Sequence, residues 1–525
     1  MKQLFKVFIF IDISALWRIF MPDSVKIEKI VYGGDGLGRL SDGRAVFVPF
    51  VLPEEIVSLE LSVEKTRFTR GTALIWQKSS PNRIPAQCRY YTICGGCHYQ
   101  HMPYHLQLET KLETVRDQLS RIGGIEPNLL TTISHGENAW HYRNQIQCHV
   151  SEEGKLGFKC ADSNLILPIG HCPIAMSGLN ELLGRLELDP GSGISRVTFR
   201  EDTDGELFIL FEGDDDLPPE LTVELEVSAA YINKNHDYHH LAGNDQLRYT
   251  VLGNDFNVSP ASFFQVNNEV TELLLSYVLD IIKTLNPKNV LELYSGVGLF
   301  SAFIAPDVRQ LTAIEASPSA CYDFVNNLDA FDNVSLYEGA AENILPGLLP
   351  ILKPEPPNLV LLDPPRAGLH SKALDALVEL APENIIYVSC DPSTLARDLK
   401  RLCNKGYQTQ SIHAFDMFPQ TYHVETVVLL SKLDVNQHIK VELEMDELDL
   451  TTAESKATYE EIKDFVFKTH AMKVSNLYIS QVKKKCGLEV GKNYNVSNKE
   501  NPIVPNCPPE KEEAIREALE YFKMI

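Results

Sequence analysis

From Ser24 to about Ser80 apolar and polar positions alternate in short runs, VKIEKIVY, AVFVPFV, IVSLELSV and GTALIWQ, each closed by Gly, Asp or Pro. A period of two with turn signals between runs predicts a small β-barrel over residues 21–80. The glycine turn GGDGLGR (Gly33 to Arg39) is followed by no helical pattern, which argues against a phosphate-binding loop. An amphipathic helix follows in YHLQLETKLETVRDQLSRI, within a helical stretch 101–125 placed to pack on the domain further along the chain. Alternation with frequent Gly, Asn and Pro returns from about Ile125 to Val258, so residues 81–259 read as a mostly β central domain. After Pro260 the texture changes. Helical stretches now alternate with the short apolar strands NVLELYS, LTAIEA, VSLYEG, NLVLLDPP, NIIYVSC and VETVVLLSKL, so residues 260–432 predict a doubly wound α/β fold. Residues 433–525 read as an acidic connector and a helical extension, with Thr458 and Glu461 as a capping box and helices in SNLYISQVKKKCG and PPEKEEAIREALEYF.

Composition changes this picture little. With 525 residues, 44% hydrophobic and 23% charged, the chain is long enough for several cores. A net charge of −23 argues against general attraction to nucleic acid, although the first 150 residues are slightly basic. The acidic runs Glu201 to Glu226 and Val441 to Leu450 read as solvated surface. Eleven cysteines without a secretory signal point to reduced thiols in a cytoplasmic protein, with a metal site or a nucleophile among them. The opening MKQLFKVFIFIDISALWRIF is interrupted by Asp12, lacks a cleavage site and is too short and charged to span a bilayer. Residues 1–20 are therefore expected to precede the true start at Met21, and no membrane association is expected.

In NVLELYSGVGLFS a strand runs into a glycine turn and a helix start, where backbone N–H groups meet a ligand closely. Glu315 ends the next strand, about twenty residues on, where an acid binds ribose hydroxyls. Nicotinamide dinucleotides and S-adenosylmethionine (SAM) both fit that pair. Asp363, in NLVLLDPPRAG, ends a further strand and is stiffened by Pro364 and Pro365, an arrangement suited to a flat heteroaromatic ring. Arg366 stands where amino-methyltransferases carry an aromatic residue, which implies a different acceptor.

Cys390 ends the fifth strand on the same rim, followed by the helix start DPSTLARDL, whose dipole is expected to favour the thiolate. Uracil needs such a group. Thiolate addition at C6 makes C5 a carbanion able to take a methyl group, and the C5 proton must then leave to a base. Glu425, in FPQTYHVETVVLL, is expected to be that base and already ionised at neutral pH, with His423 as the alternative.

Taken in order, SFFQVN, LELYSGVGLF, LLDPPRAG, YVSCDPSTLARD and DMFPQTYHVETV resemble the consecutive motifs of the SAM-dependent RNA uracil-5-methyltransferases, over Ser24 to about Lys432. The resemblance implies Cys390 as nucleophile and Glu425 as general base, with Gln265, Tyr294, Glu315 and Asp363 lining the SAM pocket. Glu292, Ser295 and Asp391 depart from the family's common Asp, Cys and Asn. YGGDGLGRLSDGRAVFVPFVLPEEIV resembles the TRAM domain, an OB-like RNA-binding barrel, with Glu54 in place of its usual glycine.

Cys88, Cys94 and Cys97, spaced x5 and x2, together with the distant Cys172 supply thiolates for zinc or a [4Fe–4S] cluster. Cys148 and Cys160 compete with Cys172. The resemblance to the ribosomal-RNA branch of the family implies the cluster, and the TRAM-like barrel points to the same branch. The expectation is thus a cytoplasmic enzyme that methylates C5 of a uridine in 23S rRNA, with SAM and [4Fe–4S] as cofactors and no protein partner. The alternatives are a tRNA uracil-5-methyltransferase, a catalytically silent Fe–S RNA-binding protein and an NAD-dependent oxidoreductase.

Overall fold

A computed structural model describes residues 24–219, 226–433, 459–470, 472–486, 507–522 and 524. The expected late start, the second acidic run and the capping residue Thr458 lie outside the described residues. The chain divides into two compact units, 1–435 and 436–525.

The first unit opens with a closed barrel in which the strands follow the order Ser24–Ile30, Gly36–Arg39, Ala45–Val48, Phe68–Lys78, Ile56–Glu64. Val25, Ile27, Val46, Val48 and Val57 alternate inward and form its core, as a period-two pattern requires. A Cβ at Gly36 would lie 2.4 Å from the Val51 side chain, so only glycine lets the strand close there. Glu54 has φ 68°, a left-handed conformation that glycine adopts without steric cost.

Next come the helix Tyr104–Gln118 and the strand Leu130–Ser134. Val115, Leu119, Ile125 and Leu130 pack with residues of the large α/β sheet, and Leu130–Ser134 joins that sheet as its outermost strand beside Tyr407–Phe415. The central domain's own sheet thus begins later than the alternation suggested. It has seven strands between Gln145 and Ala242 around a core that includes Phe199, Phe211 and Tyr231. The buried Arg200 guanidinium donates to the carbonyls of Ser259, Pro260 and Ser262, fixing the segment that carries Gln265.

The large sheet runs Val334–Glu338, Gln310–Glu315, Asn289–Leu293, Leu359–Leu362, Asn384–Ser389, Glu425–Lys432, Tyr407–Phe415, Leu130–Ser134. The first five strands are mutually parallel, with helices between them, whereas Glu425–Lys432 runs antiparallel to Asn384–Ser389. The start of that strand therefore returns to the carboxyl ends of its neighbours, where open α/β sheets bind ligands. The second unit holds the helices Tyr459–His470, Asn476–Lys485 and Pro509–Tyr521 around Ile462, Val466, Ile479, Val482 and Ile515. Among the described residues no helix is long and apolar enough to cross a membrane.

Candidate active site

Strand register sets the site. Leu293 pairs with Ile314 on one side and Leu362 on the other, so Tyr294, Glu315 and Asp363 each stand one residue past the ladder in a single row. Tyr294 has φ 63°, a conformation that non-glycine residues keep mainly at functional turns. Glu315 ties the turn together. Its carboxylate accepts the Gly296 N–H at 2.8 Å and those of Ala316 and Ser317 at 2.8 Å each. Within the same turn Ser295 Oγ is buried and finds no hydrogen-bond partner among the described residues, and a Cβ at Gly296 would meet only open space. An orphaned hydroxyl beside unfilled space is what a polar ligand completes. Gln265 is half-buried, its backbone carbonyl held by Asn144 Nδ2 at 3.0 Å.

On the same rim Ser389 pairs with Thr426, so Cys390 and Glu425 face each other one step beyond the ladder. Glu425 is buried. Burial first, then the nearby Asp363, holds its carboxyl well above the ordinary range, and burial does the same to Asp363. The expectation of a freely ionised Glu425 is thus corrected: two close carboxyls in a dry site resist carrying two charges. Arg366, exposed at the rim, opposes the shift on Glu425.

The expected help from the helix start is corrected as well. Asp391 caps the helix Pro392–Cys403, and its Oδ1 takes the N–H groups of Ser393 and Thr394 at 2.9 Å each, so those donors serve Asp391. Burial, then Glu425 and Asp363, pushes the Cys390 thiol up to about 12; Arg366 pulls it down and Asp391 adds to the rise. His423 lies 3.5 Å from the Arg366 guanidinium through Nε2. Burial, then Arg366, pushes it down to about 3, which makes it a weak proton acceptor beside Glu425.

The cationic role of Arg366 escaped the sequence reading, though its replacement of an aromatic residue was the signal. Its loop is held by Arg397, which donates to the Ala367 carbonyl at 2.9 Å, and by the buried Asp398, which accepts the Leu369 N–H at 2.8 Å. The loop carrying His423 and Glu425 is held from the other side. Gln420 O accepts the N–H groups of His98 and Tyr99 at 2.9 and 3.0 Å, and Lys111 reaches Asp416 Oδ1 and the Phe418 carbonyl, with both Lys111 and Asp416 fully buried.

Away from this rim, Cys88, Cys94, Cys97 and Cys172 line one cavity of about 430 Å³. Cys160, not chosen from the sequence, lines it too, while Cys148 is buried nearby. Arg143 and Lys159 are also in the lining. Burial, with the neighbouring thiols adding to it, pushes Cys94 up to about 11 and Cys97 up to about 12. Among the described residues no group of three or more His, Cys, Asp or Glu side chains is placed to hold a metal ion. The side chains as placed therefore do not form a site for a single tetrahedral ion, whose ligands would each lie ~2.3 Å from the metal.

The sequence model of the tRNA (Uracil-5-)-methyltransferase family matches residues 244–433. An RNA methyltransferase of Aquifex aeolicus is 32% identical over 434 residues, covering 79% of this chain and 99% of that protein. One from Halalkalibacterium halodurans is 30% identical over 442 residues, covering 77% and 96%. Among solved structures, the Pyrococcus abyssi tRNA (uracil-54, C5)-methyltransferase in complex with S-adenosyl-L-homocysteine matches with a TM-score of 0.62 and 25% identity, covering 77% of this chain and 100% of that one. Fold, rim and relatives agree, and the chain belongs to the SAM-dependent RNA uracil-5-methyltransferases.

Proposed function

We propose that this RNA methyltransferase transfers a methyl group to C5 of a uridine in 23S rRNA, with Cys390 as nucleophile and Glu425 as general base. The observation that carries the mechanism is the facing pair Cys390 and Glu425 beside Asp363. SAM, when bound, supplies an electrophilic methyl group on a sulfonium. The turn Tyr294–Gly298, Glu315, Asp363 and Gln265 would hold it, and the unpartnered Ser295 hydroxyl supports a polar ligand there.

The target base must leave its stack to reach the rim. Arg366 favours the Cys390 thiolate, whose proton leaves to solvent from this half-exposed position. The sulfur then bonds to C6, and the electron pair of the C5–C6 double bond becomes available at C5. C5 takes the methyl group. Glu425 accepts the C5 proton, the electrons of that C–H bond re-form C5=C6, and the carbon–sulfur bond breaks to return the thiolate.

Cys88, Cys94, Cys97 and Cys172 are proposed to hold a [4Fe–4S] cluster. Sulfur donors spread around a cavity suit a bulky multi-iron cluster better than a single ion, and Arg143 and Lys159 in the lining would offset the charge of its four thiolates. The closed barrel Ser24–Lys78 and this cavity are what favour rRNA, by likeness to the family's ribosomal branch. The second reading, tRNA, is favoured by the solved neighbour, which acts on tRNA and matches over 77% of this chain. Mapping 5-methyluridine in rRNA and tRNA from cells with and without the gene separates the two. A methylated 23S position lost with the gene is expected, and loss confined to tRNA overturns the rRNA assignment.

A further inference from the structure

The barrel reaches the turn that carries Cys390. Tyr32 lies two residues past the first barrel strand, and its hydroxyl donates to Asp391 Oδ2 at 2.7 Å across 359 residues of sequence. That length is typical of an O–H donor on a carboxylate. Asp391 Oδ1 is already used by the helix cap, so Tyr32 engages the remaining oxygen. The Tyr32 ring stands edge-on to Tyr422, centroids 5.6 Å apart. At Gly34 (φ +89°) a Cβ would lie 3.2 Å from His98 Cβ and 3.6 Å from Tyr422 Cβ, so the barrel loop is seated against both segments.

We infer that Tyr32 is a positioning residue for the nucleophile: its hydroxyl fixes the Asp391 carboxylate and draws its charge away from Cys390, a role that rests on Cys390 being the nucleophile. A neutral amide can cap the helix without setting a charge next to the sulfur, whereas this chain carries a carboxylate there. Glu425, Asp363 and Asp391 face Cys390 and oppose its ionisation, and Arg366 favours it. Tyr32 itself faces Asp391, Tyr422 and Cys390; burial, then Asp391, holds its phenol far above the ordinary value, so it stays a donor throughout the working range. Without that hydroxyl Asp391 Oδ2 presents its full charge to the thiol, and the thiolate becomes harder to form. Because the donor belongs to the barrel, seating of the barrel and readiness of the nucleophile are linked.

The test reads the thiol directly. In the full chain, the rate of Cys390 alkylation by iodoacetamide is followed against pH by peptide mass spectrometry in the wild type, Tyr32→Phe, Asp391→Asn and the double variant. Tyr32→Phe should move the Cys390 profile upward by about one pH unit, so that alkylation is roughly tenfold slower at neutral pH. Asp391→Asn should move it downward, and Tyr32→Phe should add nothing in that background. Methyl transfer by Tyr32→Phe should lose kcat by the same factor at neutral pH and recover it at alkaline pH, with KM for RNA unchanged. An unchanged Cys390 profile in Tyr32→Phe overturns the inference. So does an equal loss with and without Asp391, or a raised KM with an unmoved pH profile, each of which marks a purely structural contact. Turnover by Cys390→Ala at the wild-type rate would instead remove the nucleophile assignment while leaving the alkylation result standing, so the two failures are distinguishable.

Discussion

Cys390 and Glu425 face each other one residue beyond the Ser389–Thr426 pair, at the point where an antiparallel strand returns to the rim of a parallel sheet. A group that forms the carbon–sulfur bond and a group that removes the C5 proton must both reach one uracil ring. The register sets Cys390 and Glu425 side by side on that rim, as the proposed mechanism requires, and burial raises the proton affinity of Glu425 and Asp363.

As the proposed general base Glu425 must be deprotonated to act, and its folded-state pKa lies above the ordinary carboxylate value. Activity should therefore be present at alkaline pH and be lost as pH falls through that raised value, well before an unperturbed carboxylate would protonate. A plot of kcat/KM against pH checks this. Arg366→Gln, which removes the cation that lowers both Glu425 and Cys390, should move the acid limb to higher pH.

Protein purified without oxygen should be brown, with broad visible absorbance and bound iron. Cys88→Ser, Cys94→Ser, Cys97→Ser and Cys172→Ser should each lose iron, while Cys148→Ser and Cys160→Ser should retain it. Because burial raises the Cys94, Cys97 and Cys172 thiols, loading should release protons and weaken as pH falls. Colourless, zinc-loaded, fully active protein would contradict the cluster.

Much of the rim was legible because each residue ends a strand with its own local pattern: Tyr294 before a glycine turn, Glu315 one strand on, Asp363 before two prolines, Cys390 before a helix start. What stayed hidden depends on contacts between distant segments. Tyr32 meets Asp391 across 359 residues and Lys111 meets Asp416 across 305, and no local periodicity encodes either. The burial that raises Asp363 and Glu425 arises only once three strands, Leu359–Leu362, Asn384–Ser389 and Glu425–Lys432, lie side by side. Leu130–Ser134 likewise alternates like any strand, and nothing in five residues says which sheet receives it.

Lys111 and Asp416 are both fully buried, so removing one leaves the other charged and unpaired. Lys111→Met should destabilise the first unit by about 3–5 kcal/mol, read from urea unfolding. It should also loosen the Phe418–Glu425 loop that Lys111 anchors through the Phe418 carbonyl. A loss within about 1 kcal/mol would mean that the pair is not desolvated as described.

In the second unit the lysine run is divided: Lys483 is buried, Lys485 pairs with Glu512 at 2.6 Å at the surface, and Lys484 is exposed. Three consecutive lysines on one short helix also admit a reading as an RNA-phosphate contact. Removal of residues 434–525 should nonetheless leave SAM binding, RNA affinity and the salt dependence of that affinity unchanged. A flatter dependence of RNA binding on salt after truncation would restore the RNA-contact reading.

The central claim, addition by Cys390 followed by proton removal by Glu425, is tested most directly by trapping the methylated adduct. Glu425→Gln, incubated with SAM and substrate RNA, should pass through addition and methyl transfer and then stall, because the enzyme cannot be eliminated while the C5 hydrogen remains. Denaturing electrophoresis should then show a protein–RNA band that is absent with Cys390→Ala and with the Cys390→Ala, Glu425→Gln double variant. A band that persists in the double variant, or wild-type turnover by Glu425→Gln without any band, would contradict the account.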